Sequence, residues 1–81
     1  MKIRDWLGRL AYTLVQGSLD EDVEDVVYDS RKARPHTVFV CIRGSARDSH
    51  TFIPDVLEKG CWVLVTEKDV TVPGDVTVLR V

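Results

Sequence analysis

The chain has 81 residues, 44% of them hydrophobic and 30% charged, with a net charge of −2. That length fits one domain with a small core, the apolar share excludes a disordered chain, and the acidic balance argues against a broad nucleic-acid surface. No apolar run approaches the ~18 residues of a membrane span, and the charges interleaved in MKIRDWLGRL are not those of a signal peptide, so a cytoplasmic location without membrane contact is expected.

Ile3, Trp6, Leu7, Leu10, Ala11 and Leu14 recur at helical spacing and predict an amphipathic helix over 2–15, with Gly17 where a helix-ending glycine belongs. The acidic run DEDVED at 20–25 reads as a solvated approach to the first strand, VEDVVY at 23–28. Asp29 and Ser30 favour a turn. TVFVCI at 37–42 is an apolar run of strand length, predicting burial on both faces. The loop GSARDSH leads into a second helix over about 50–59, whose start is set by Pro54, tolerable only in a first turn. An N-cap hydroxyl is expected among residues 49–51, with Gly60 as the residue just past the end. CWVLVTE at 61–67 and VTVLRV at 76–81 are two more strands, separated by the turn signal VPGD. The fold expected is α/β, a small mixed sheet of about four strands layered with helices. Because the sequence stops inside a strand pattern, it reads as one domain of a longer protein.

Cys41 and Cys61 lie in apolar runs and read as small buried hydrophobes rather than a disulfide or a metal site. Trp6 and Trp62 read as core, and His36 and His50 as surface or turn residues. The charge is unevenly spread: residues 29–50 carry five basic groups (Arg31, Lys32, Arg34, Arg43, Arg47) against Asp29 and Asp48, while both flanking segments are acidic. In open α/β sheets ligands bind beyond the carboxyl ends of strands. If the first two strands are parallel, the loop with Asp29, Ser30 and Arg31 and the loop with Gly44, Ser45, Arg47, Asp48, Ser49 and His50 share that edge. Arginines hold phosphate oxygens, and Ser and Asp hydrogen-bond sugar hydroxyls or a base edge. The set therefore suits a nucleotide diphosphate. The same residues are equally readable as a turn, a helix cap and a solvated surface. A Ser30–His50–Asp48 triad can be drawn, but nothing in the spacing favours it. The sequence has no G-x-x-x-x-G-K-[ST] loop and no G-x-G-x-x-G.

The ordered set Asp29-Ser30-Arg31, Pro35, Phe39-Val40, Gly44, Asp48, His50, Phe52-Ile53 and Gly60 resembles the N-terminal domain of the Mur ligases. The likeness covers nearly the whole chain. Within the family it is greatest to the members that add the third peptide residue, meso-diaminopimelate or lysine, to UDP-N-acetylmuramoyl-Ala-Glu, with the D-Ala-D-Ala-adding members as close rivals. The resemblance implies a domain that anchors the UDP part of a UDP-MurNAc-peptide and has no catalytic residues of its own. ATP and Mg would belong to the parent ligase, whose central and C-terminal domains would be this domain's partners. By position Tyr28, Ser30, Ser45, Ala46 and Arg47 match substrate-binding residues. Asp29, Arg31, Gly44, Asp48 and His50 match positions that shape the loops. Two departures bear on loop shape. His36 stands where the pattern has a glycine after the proline, a strained arrangement if that position needs positive φ, and Ser49 stands where the glycine of Asp-Gly-His is usual. A free-standing anion- or protein-binding module and a small hydrolase are the rival readings.

Overall fold

A mixed five-stranded sheet forms the centre of the computed structural model, which describes residues 2–7, 11–41 and 49–81. The strands are β1 (Thr13–Gln16), β2 (Asp25–Val27), β3 (Thr37–Val40), β4 (Val63–Thr66) and β5 (Thr77–Arg80), in the spatial order β1-β5-β4-β3-β2. Strands β2 to β5 are parallel and β1 pairs antiparallel with β5. Two helices accompany them, α1 (Ile3–Leu7) and α2 (Ile53–Glu58), with 3-10 turns at Ser30–Lys32 and Ser49–Phe52.

The continuous apolar runs of β3 and β4 have a direct cause. Successive strand side chains point to opposite faces, and here both faces are covered. Phe39, Leu64 and Val78 pack with Ile53 and Val56 of α2, whereas Val38, Val63, Val65 and Leu79 pack with Ile3 of α1. Cys41 and Cys61 are buried free thiols on the α2 side, as their apolar setting predicts.

The expected helix over 2–15 is corrected: α1 is described over Ile3–Leu7, and residues 13–16 form β1, which raises the strand count from about four to five. Tyr12, Thr13 and Val15 are aromatic or β-branched and favour a pleated strand, and β1 covers the otherwise open edge of β5. The register shifts between Leu14 and Gln16, which leaves Val15 at an irregularity and 46% exposed. The Gln16 amide fixes the strand end, donating to the carbonyls of Pro73 at 2.7 Å and Val76 at 2.8 Å.

Helix α2 begins differently from expectation. Its N-cap is Phe52, which makes no side-chain cap bond, and the preceding 3-10 turn carries the chain into the helix. Pro54 does fall in the first turn. At the other end the Gly60 N–H donates to Leu57 O and the Cys61 N–H to Val56 O, both at 3.0 Å, with Gly60 at φ 87°. That is a Schellman ending, and Val56 and Cys61 supply its apolar contact. Trp62, expected in the core, is 48% exposed, its indole N–H donating to Leu57 O at 3.0 Å. One end of the ring is thus satisfied and the rest is left at the surface.

Among the described residues His36 is the sole non-glycine at positive φ, 66°. Its carbonyl accepts from the Glu24 N–H at 2.7 Å, so the left-handed turn ties the start of β2 to the start of β3. Histidine tolerates this region better than most residues but still carries a penalty of about 1 kcal/mol. Part of it is offset in a glycine variant by the freer unfolded chain. His36→Gly is therefore expected to raise stability by about 0.5–1 kcal/mol, read as a higher urea midpoint with unchanged m-value. A lower midpoint would mean that imidazole contacts outweigh the strain.

Candidate functional site

Because β2 and β3 are adjacent and parallel, the segments that leave them start from the same sheet edge. The segment after β2 is described. That after β3 is described only as far as Cys41, so Gly44, Ser45, Ala46, Arg47 and Asp48 lie outside the described residues.

At this edge Tyr28, Asp29, Ser30 and Arg31 face Phe52 and Asp55 across an open cleft of about 700 Å³. The geometry of residues 28–31 follows from one carboxylate. Asp29 Oδ1 accepts from the Arg31 N–H at 2.9 Å, capping the 3-10 turn, and the guanidinium adds Nε to Oδ1 at 3.1 Å and Nη2 to Oδ2 at 2.8 Å. The hydrogen bond from the Arg31 side chain, and then that from its backbone, hold the Asp29 carboxyl at about 2, below its ordinary 3.8. Asp29 is therefore an acceptor whose capacity is taken up within its own turn. The turn is also fastened to α2, since Lys59 Nζ donates to Ser30 O at 2.9 Å. What remains open towards the cleft is the half-buried Ser30, whose hydroxyl has no partner among the described residues, and the Tyr28 ring, 64% exposed.

Among the described residues, the basic groups of the 29–50 segment part from one another, while Arg43 and Arg47 lie outside the described residues. Arg34 sits at the opposite edge, where Nη1 reaches Glu24 at 3.1 Å and Nη2 reaches Asp25 at 3.7 Å. Arg31 is paired with Asp29. The nine residues 28–36 run from one end of the sheet to the other, so neighbours in sequence part in space.

His50 is not a surface residue. It is 7% exposed, and its Nε2 accepts from the Glu67 N–H at 3.1 Å. It thereby pins the approach to α2 against the carboxyl end of β4. It lines a neighbouring hollow of about 310 Å³, with Ile53, Lys68 and Val72, rather than the cleft. The structure also adds Asp55 to the site, which the sequence pattern does not single out. An acid in a first helical turn carries only a capping signal, and its place opposite Ser30 depends on how α2 docks on the sheet. Among the described residues no group of three His, Cys, Asp or Glu side chains could hold a metal ion. No helix there is long and apolar enough to cross a membrane.

No protein-family model matches the chain. Relatives do. The chain is 40% identical over 74 residues to a UDP-N-acetylmuramoyl-L-alanyl-D-glutamate–2,6-diaminopimelate ligase of Clostridioides difficile, covering 91% of this chain and 15% of the relative. It is 35% identical over 81 residues to the ligase of that name from Clostridium perfringens, covering 100% and 17%. It is 40% identical over 63 residues to the L-lysine ligase of Staphylococcus aureus, covering 78% and 13%. Among solved structures it is similar to MurF from Acinetobacter baumannii, with a TM-score of 0.67 at 27% identity over 73% of this chain and 13% of that one. Thermotoga maritima MurF ligase in complex with ADP gives 0.62 at 30% identity over the same shares. The chain thus spans 13–17% of the relatives compared.

Proposed function

The chain belongs to the Mur ligase family and has the fold of that family's N-terminal domain, and from that premise we propose that it anchors the UDP end of UDP-MurNAc-L-Ala-D-Glu. The third residue, meso-diaminopimelate or L-lysine, is then joined elsewhere in a longer, cytoplasmic ligase. One observation supports the reading above the others: the 28–31 segment, which carries the family's Asp-Ser-Arg, lines an open cleft at the carboxyl edge of β2. The physical logic is that binding energy from a remote, unreactive part of a substrate can position its reacting end. The D-Ala-D-Ala-adding members are the alternative. Sequence identity favours the third-residue enzymes, at 35–40% against 27–30% for the MurF structures. ATP and Mg are assigned to the rest of that longer protein, since this sequence has no phosphate-cradling glycine loop.

The test is a titration of the 81-residue chain followed by amide chemical shifts, with UDP against inorganic phosphate. Shifts centred on residues 28–31 with UDP strongly preferred are the expected result. An equal response to both would make the chain a generic anion binder, and release of UMP from a UDP-sugar would make it a hydrolase. In the same titration Ser30→Ala is expected to weaken UDP binding by about 0.5–1.5 kcal/mol, the net value of one neutral hydrogen bond. Unchanged affinity would remove Ser30 from the site.

A further inference from the structure

The side chains that line the described part of the cleft carry two carboxylates and one guanidinium, Asp29, Asp55 and Arg31. Arg31 and Asp29 neutralise each other. That leaves Asp55 as the lining charge without a partner among the described residues, with the Lys59 ammonium held at the Ser30 carbonyl. It is exposed, stands in the first turn of α2, and makes no side-chain hydrogen bond or ion pair among the described residues. A phosphate laid directly against the Asp55 carboxylate would be repelled by it. A group rich in donors would be held.

Resting on the UDP-anchoring reading, we propose that Asp55 is a specificity-determining residue that accepts hydrogen bonds from the vicinal 2′- and 3′-hydroxyls of the nucleotide's ribose. The sugar then lies against α2 and the phosphates point away from Asp55. The chemistry favours the diol over the base. A carboxylate has two acceptor oxygens and no donor, and two adjacent hydroxyls fill both. The uracil imide offers one N–H flanked by two carbonyl oxygens, so the second carboxylate oxygen would face another acceptor. Asp29 cannot take this role, because its acceptor capacity is already used by Arg31.

The experiment measures UDP and 2′,3′-dideoxy-UDP binding to the full 81-residue chain and to Asp55→Asn by amide chemical-shift titration, which also reports the fold of the variant. Hydrogen bonds to an ionised acceptor are stronger than neutral ones. The variant is expected to bind UDP about tenfold more weakly than the parent chain, while both bind the dideoxynucleotide equally. An equal loss on both nucleotides, no loss, or tighter UDP binding by the variant would each overturn the assignment. A parent chain that responds to UDP while Asp55→Asn behaves identically ends this inference alone. A parent chain that ignores UDP ends the anchoring reading together with it.

Discussion

Replacing Gly17 by alanine is expected to destabilise the domain by about 3 kcal/mol or more, the combined cost of a strained backbone and a steric overlap that no rotamer relieves. Gly17 follows β1 at φ 90°, a conformation open to glycine and costly for other residues. A Cβ there would sit 2.5 Å from Thr77 Cα, on the first residue of β5. The opposing atom is backbone, so relief requires β1 to move away from β5. The Ser18 N–H, which donates to Thr77 Oγ1 at 3.2 Å, would move with it. The three described glycines predict an order. Gly60→Ala should cost less, about 1–3 kcal/mol, because its added methyl meets the ring of Pro35 at 2.9 Å rather than the main chain, although φ is 87°. Gly74→Ala should be neutral or slightly stabilising, within about 0.5–1 kcal/mol, since nothing lies within 4 Å of its added Cβ. Urea unfolding of the three variants checks the ranking. A Gly17 variant as stable as the Gly74 variant would mean that the β1–β5 edge is not held as closely as described.

These three glycines also show what the sequence discloses and what it hides. Gly60 is legible because a helix with Pro54 in its first turn must end somewhere, and a Schellman glycine is a local signal. Gly17 is legible as a chain reversal, yet its setting imitates the end of a helix. The apolar spacing of Ile3, Leu7, Leu10 and Leu14 matches a helical period, and nothing local reveals that β5, more than 60 residues later, offers an edge that residues 13–16 can complete. Tertiary pairing overrides the local period, as it often does for short β-branched segments. The parallel strands are readable from their uninterrupted apolar runs because double-sided burial leaves that mark. The candidate site divides in the same way. Asp29, Ser30 and Arg31 are contiguous, so their turn is visible in the sequence. Asp55 enters only through the packing of α2, and the opposite fates of Arg31 and Arg34 depend on a connection that crosses the height of the sheet.

Phe39→Ala is expected to cost about 3–5 kcal/mol, the usual range for truncating a buried phenylalanine. An 81-residue domain has about 4–12 kcal/mol of stability, so the variant should lose a large share of it. Phe39 is fully buried on β3, opposite Val27 of β2 on one side and Leu64 of β4 on the other. On the same face it belongs to one cluster with Ala33, Ile53 and Val56. Ala33 closes the 3-10 turn that carries Ser30, and Ile53 and Val56 seat the helix that carries Asp55. Phe39 thus supports both walls of the cleft without lining it. This separates scaffold from contact. Phe39→Leu keeps most of the volume and should cost under about 1.5 kcal/mol. At room temperature it should bind UDP like the parent chain, whereas Phe39→Ala should lose apparent affinity in proportion to its unfolded fraction. Urea melts of both variants beside UDP titrations give the comparison. If Phe39→Leu stays folded yet binds as poorly as Ser30→Ala, the spacing of the two walls is tighter than the open cleft suggests, and packing beneath the site sets affinity as directly as the groups that face the nucleotide.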